Sequence, residues 1–324
     1  MSTQKPSYES DTIDLLSSHG KGTPLDESAK KLMSSREIIA RLLKAVVPEF
    51  KGHDVETIRP LIGNVAISEV AVDADKLPPA VMSENTEDAT VTEGTRFYDL
   101  KFTAKLPNKD ETVFVIINIE IQNKYDPGYN LLKRATYYAA RLISGQLNTV
   151  FRNSDYDSIQ KVYSIWICTD PPETLQNTIS HYYMTRRSLL GHVNETKKER
   201  ERYRIPNIIL VNLGSSDTKD CDGIIRMLYT LLVSDQTASE KNTIAHEEYG
   251  IPIDEEFDEE VENMCNISSM YLERGEKKGI EKGIEKGRLQ MLIELVSKKL
   301  LTIDQAAAQI NMSVKEFKKI ANIT

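Results

Sequence analysis

The sequence predicts an α/β protein in which a mixed sheet is flanked by helices, and three observations carry that reading. Two apolar stretches within 95–124 are joined by a polar turn. Helical spacing over 129–147 follows directly, and a further apolar run, KVYSIWICT at 161–169, completes a strand–helix–strand unit. A tight hairpin is antiparallel, whereas a strand reached through a helix runs parallel to its predecessor with a right-handed crossover expected, so the sheet is mixed.

Successive strand side chains alternate between faces. Tyr98, Leu100, Phe102 and Ala104 therefore share one face of the first strand, and Phe97, Asp99, Lys101 and Thr103 the other. On the second strand Val113, Val115, Ile117, Ile119 and Ile121 make an apolar face, while the opposite face changes from Phe114 and Ile116 to Asn118, Glu120, Gln122 and Lys124. A strand apolar on both faces and then polar on one has left the core and opened into a cleft. Pro107, Asn108, Lys109 and Asp110 mark the turn by their chemistry. Their centre implies that facing residue numbers add to 219, which sets Asp99 opposite Glu120. Facing side chains lie roughly 5 Å apart at Cβ, close enough to hold one divalent cation with backbone oxygens and water. Hard oxygen ligands suit magnesium or manganese, not zinc.

Asp99, then Glu120-Ile121-Gln122 at the end of an apolar strand, then a helix carrying Arg134-Ala-Thr-Tyr-Tyr138, resembles the PD-(D/E)XK nuclease superfamily. More narrowly, the combination with NIEIQ and the KVYSIWI strand resembles the Rpn-type recombination-promoting nucleases, or putative transposases. The resemblance covers about 30–235 and extends to the glycine-spaced helix further on. Two positions depart from the wider motif: Tyr98 stands where proline is usual, and Gln122 where lysine is usual. The second departure is the E-x-Q variant of the narrower group. The resemblance implies a restriction-endonuclease-like core of order αβββαβ with a helical C-terminal extension. It also implies cleavage of DNA with Mg2+ or Mn2+, linked to recombination, mobile elements or defence. Asp99 and Glu120 would be the metal ligands and, with Gln122, the catalytic residues. Lys101, Lys124, Arg134, Tyr138 and Arg141 are auxiliary or phosphate-binding candidates.

Composition neither supports nor forbids a nucleic-acid partner. The formal net charge is −8, but the acid is local: nine Asp and Glu and no Lys or Arg fall in 246–262, leaving a net −3 before it and +4 after it. The nuclease-like part is near neutral, which permits local phosphate contacts without arguing for them. No run approaches the ~18 apolar residues of a membrane span, and MSTQKPSYES lacks a secretory apolar region, so a cytoplasmic protein without a membrane partner is expected. Cys168, Cys221 and Cys265 are widely spaced and read as reduced thiols. Walker-type phosphate loops, HExxH and paired CxxC motifs are absent.

In chain order, 1–25 reads as a mobile tail, and 26–240 as the nuclease-like domain. Ser34 and Glu37 offer a capping box for a helix with an Ile38, Leu42, Leu43, Val46 and Val47 stripe that stops at Pro48. Glu37 and Glu49 are more readily cap or surface than metal ligands. A strand within 57–72 is blurred by Pro60 and Gly63, and 73–94 reads as a loop. In the helix after the hairpin, Leu132, Ala135, Ala139, Leu142 and Gln146 form one stripe, and Arg134, Tyr137, Arg141 and Ser144 another. Strands are expected at 181–187 and 205–213, a charged loop at 195–204, and a helix at 221–234. An acidic linker or helix occupies 241–272. Within 273–324, Gly275, Gly279, Gly283 and Gly287 recur every fourth residue. Each costs a helix roughly 1 kcal/mol relative to alanine, so the ridge is read either as a homo-oligomer contact or as a tolerated spacer. The last two helices have helix-turn-helix spacing, which many proteins that never touch DNA share.

Other classes compete. Asp99 and Glu120 can be a structural polar pair at a strand end, and the fold can serve as an oligomerising interaction module without cleavage. A glycosidase is the third reading, disfavoured by adjoining strands and a single Trp.

Overall fold

The computed structural model describes residues 23–67, 98–107, 113–214, 223–310 and 312–321. The described residues fall into two compact units, one ending at 267 and the other beginning at 268.

The first unit is α/β, with a six-stranded mixed sheet flanked by helices. Its elements are α1 (Pro24–Met33), α2 (Arg36–Val46), the short α3 (Val55–Ile58), β1 (Ala66–Ile67), β2 (Leu100–Lys105), β3 (Phe114–Lys124), α4 (Leu131–Ser144), β4 (Val162–Asp170), β5 (Thr178–Tyr183), α5 (Lys197–Tyr203), β6 (Pro206–Asn212), α6 (Gly223–Leu232) and α7 (Ala238–Glu247). The sheet order is β1-β2-β3-β4-β6-β5. β1 with β2, β2 with β3 and β5 with β6 are antiparallel, while β3 with β4 and β4 with β6 are parallel.

The hairpin register is the expected one: Leu100 faces Ile119, Lys101 faces Asn118 and Lys105 faces Phe114. The turn itself, 108–112, lies outside the described residues. Tyr98 departs from the alternation. The ladder begins at Leu100, and Tyr98, preceding it, does not follow its strand parity but packs with Ile116, Leu131, Ala135, Tyr138, Trp166 and Leu210 beneath α4. Within that cluster Tyr98, Tyr138 and Trp166 meet edge to face, with ring centroids 5.4 Å and 5.2 Å apart, each such pair adding about 0.5–1.5 kcal/mol beyond its area. The buried stripe of α4 is Leu131, Ala135, Tyr138, Ala139 and Leu142, so Leu131 and Tyr138 join the anticipated Ala135, Ala139 and Leu142. α1 lies against β3, and α2 against α6.

Several local expectations are corrected. α1 begins at Pro24 with Leu25 buried, inside the stretch read as tail. The Ser34/Glu37 capping box does not form: Ser35 is the N-cap of α2 without a side-chain bond, and Glu37 pairs with Arg41 at 2.7 Å and with Arg59. Two guanidinium groups outcompete a backbone N–H for a carboxylate because both partners are charged. The charged segment 195–204 is not a loop but holds α5, started by a capping box of Thr196 and Glu199. The strand expected at 181–187 lies at Thr178–Tyr183. Within 57–72 the described residues begin helical, over 57–61, and the described strand is the two residues of β1, Ala66–Ile67.

α8 (Glu255–Ser297) opens in the first unit and continues into the second. In the second unit α9 (Ile303–Gln309) and α10 (Val314–Ile320) each carry a capping box, through Thr302 with Gln305 and Ser313 with Glu316. Leu292, Ala306, Ala307 and Phe317 form its buried core. Among the described residues no helix is long and apolar enough to cross a membrane. Cys168 and Cys265 form no disulfide.

Candidate functional site

The polar half of β3 is buried at Asn118 and Glu120 and half-buried at Gln122 and Lys124. Asn118 is 0% and Glu120 3% exposed, because α4 covers the face that the sequence turns polar. Asp99, one residue before β2, is laced to β3 by reciprocal bonds. The Ile121 N–H donates to Asp99 Oδ2 at 3.0 Å, and the Asp99 N–H donates to Glu120 Oε1 at 3.2 Å. Asn118 Nδ2 donates to the same Glu120 oxygen at 3.1 Å. The two carboxyl groups predicted to face each other are thus joined through the backbone at the end of the hairpin ladder.

Their charges are balanced unequally. Lys30 of α1 places its ammonium 2.9 Å from Asp99 Oδ1 and 2.7 Å from Asp26 Oδ2. Burial by itself lowers the Lys30 pKa, but the Asp99 and Asp26 carboxylates outweigh it and hold it above 10.5. Burial raises Asp99 above 3.8, against the pull of Lys30. Glu120, whose hydrogen-bond donors are neutral, is pushed well above 4.5 by burial and then by the Asp99 charge, with Arg134 opposing. Of the two, Glu120 is the group pushed well above its ordinary value.

Arg134 organises the other side. Its Nη1 donates to Gln122 Oε1 at 3.3 Å and to the Tyr129 hydroxyl at 2.5 Å, and its Nη2 to the Tyr138 hydroxyl at 2.9 Å. Its guanidinium carbon lies 5.1 Å from the ring centroids of both Tyr138 and Trp166. Accepting through Oε1, Gln122 is oriented with its NH2 as the available donor. Tyr138 is 1% exposed and acts as a support for Arg134. Lys101 is half-buried, its ammonium 5.6 Å from the Tyr98 ring centroid, and burial lowers its pKa. Lys124 stands beside Asp170 in the β3–β4 register. Arg141 lies over the ring of Tyr137 at 5.9 Å.

Lys30 is the site residue that sequence reasoning missed. A local signal existed for its helix: Thr23 as N-cap, Pro24 at the first position, Asp26 and Glu27 in the first turn and Lys30 and Lys31 in the last. Nothing local signals that Lys30 meets Asp99. Glu37 and Glu49 are elsewhere: Glu49 binds Lys161 at 2.6 Å and the Tyr163 hydroxyl at 2.5 Å.

Among the described residues no group of three or more His, Cys, Asp or Glu side chains converges as a metal cluster. The donors at Asp99 and Glu120 nonetheless suit a hard cation. Both are carboxylates, oxygen ligands of the kind magnesium and manganese prefer, while Asn118 meets Glu120 through its Nδ2 and leaves its buried Oδ1 without a hydrogen-bond partner. No family model matches the chain, and no curated protein or solved structure matches it.

Proposed function

We propose that the protein is a metal-dependent DNA endonuclease with the restriction-endonuclease-like fold, of the Rpn-type group that its motifs resemble. The observation that carries the reading is the backbone-laced Asp99–Glu120 pair, with Glu120 buried and an oriented Gln122 next to it. A protein rarely buries a carboxyl group such as Glu120 beside a second, half-buried one without a use for it, since desolvating a charge costs several kcal/mol. Asp99 and Glu120 would hold Mg2+ or Mn2+, which when bound polarises a phosphate and lowers the pKa of a bound water.

The remaining steps belong to the chain. Gln122 cannot take a proton, so it serves by donating from its NH2 to a phosphate oxygen or to the attacking water. Arg134 acts through Gln122, fixing which end of the amide faces the substrate and placing positive charge behind it. Tyr129, Tyr138 and Trp166 hold that guanidinium in place.

The test is cleavage of linear, nicked and single-stranded DNA by the full chain. Activity should require Mg2+ or Mn2+ and vanish in Asp99→Asn and Glu120→Gln. Cleavage persisting in excess EDTA removes the mechanism. A second reading, a nuclease-fold interaction module without cleavage, is favoured by the Lys30–Asp99 ion pair, which neutralises Asp99 with no metal. On that reading purified protein cuts none of the three substrates in either metal.

A further inference from the structure

We propose that Lys30 is the resident cation of the acidic site, and that a divalent cation enters by displacing its ammonium from Asp99 toward Asp26. This rests on the cation-dependent reading above and adds the residue that controls loading.

Lys30 is 9% exposed, and its ammonium is shared between two carboxylates, 2.7 Å from Asp26 and 2.9 Å from Asp99. The two partners differ in kind. Asp26 lies one turn earlier on α1 itself (i,i+4), so that contact survives any movement of the helix. Asp99 belongs to the β-hairpin, so that contact ties α1 to the site. A divalent metal bonds a carboxylate oxygen at about 2.1 Å. On Asp99 it would lie within roughly 5 Å of the ammonium, placing three positive charges in a largely dehydrated space where like charges repel strongly. Asp99 therefore holds one cation or the other. Asp26 supplies the alternative seat, so Lys30 is released without leaving an unpaired buried ammonium. Loading the site loosens the tie between α1 and the hairpin, and Lys30 sets the affinity by competing for its ligand.

The chain provides its own reporter. Trp166 is the single tryptophan, is 1% exposed and is the β4 partner of Glu120, so Mn2+ bound at Glu120 quenches its fluorescence. The experiment is an Mn2+ titration of the full chain as wild type, Lys30→Met, Asp26→Asn and Glu120→Gln. In parallel, acylation of Lys30 by an amine-reactive ester is followed by peptide mass spectrometry with and without saturating Mg2+. Lys30→Met should bind Mn2+ at least about tenfold tighter, Asp26→Asn more weakly than wild type, and Lys30 should be acylated several-fold faster in Mg2+. If Lys30→Met does not fold, Asp26→Asn and the wild-type acylation rates decide. Equal affinity in wild type, Lys30→Met and Asp26→Asn, with binding lost in Glu120→Gln, overturns the role of Lys30 and leaves the cation site standing. Absence of quenching in every protein, with Lys30 acylation unchanged by Mg2+, overturns the cation site itself.

Discussion

Glu120→Gln isolates the energetic cost of the site in the metal-free protein. The amide keeps an oxygen where Glu120 Oε1 accepts from the Asp99 N–H at 3.2 Å and from Asn118 Nδ2 at 3.1 Å, so the main change is loss of the ionisable group. Burial and the Asp99 charge push Glu120 well above 4.5. A carboxyl group raised in this way binds its proton more tightly in the folded than in the unfolded chain. Its contribution is fully present below 4.5 and is lost as pH rises through the folded value. At neutral pH and above, the wild type meets the expense of either retaining that proton or burying the charge, and the glutamine does not. Replacing a buried ion pair by neutral residues of similar volume is often neutral or stabilising by about 1–4 kcal/mol, and removing the unfavourable Glu120 carboxyl while keeping its shape is expected to fall in the same range. A gain of about 2 kcal/mol corresponds to a Tm increase of about 4–8 °C for a unit of this size. Thermal melts in EDTA, followed by circular dichroism and Trp166 emission, should show the variant above wild type near pH 8. The two curves should converge as pH falls toward the ordinary glutamate value. A variant that melts lower than wild type at neutral pH, or a gap independent of pH, refutes the reasoning.

Other perturbations test the surroundings. Gln122→Lys should retain cleavage, whereas Gln122→Leu should lose most of it with little change in Mn2+ affinity; equal rates for the leucine variant and wild type would make Gln122 a bystander. Glu37 shows the opposite linkage. Burial pushes its carboxyl up, but Arg41 and Arg59 outweigh burial and hold it below 4.5, so its contribution is present above that value and is lost as pH falls through the folded one. Arg41 also donates to the Tyr249 and Gly250 carbonyls, so Glu37→Gln should cost about 1–2 kcal/mol near pH 7 and progressively less in acid, measured by urea unfolding at several pH values. Phe317→Ala should empty the centre of the small C-terminal core at a cost of about 3–5 kcal/mol. Hydrogen exchange should speed up across α9 and α10 while β3 and β4 stay protected; unchanged exchange in α9 and α10 would show that Phe317 carries little of that core.

Sequence alone determined the features that local rules govern. Strand alternation has period two, so the change from Ile116 to Asn118, Glu120 and Gln122 announced where β3 turns polar. Turn chemistry at 107–110 then placed the register with Leu100 against Ile119. The spacing of Ala135, Ala139 and Leu142 likewise marked the buried face of α4. Tertiary structure decided what those polar groups meet. Tyr98 left its expected face because alternation holds only where the ladder continues, and the ladder starts at Leu100. Glu37 abandoned its cap for Arg41 and Arg59, and Arg41 in turn reaches Tyr249, 208 residues along the chain. Lys30 met Asp99 because α1 packs on β3. Pairing rules reach a few residues along the chain or one strand across. The strength of an ion pair depends instead on distance and burial in three dimensions, so the charge balance of this site became legible only once the helix was in place.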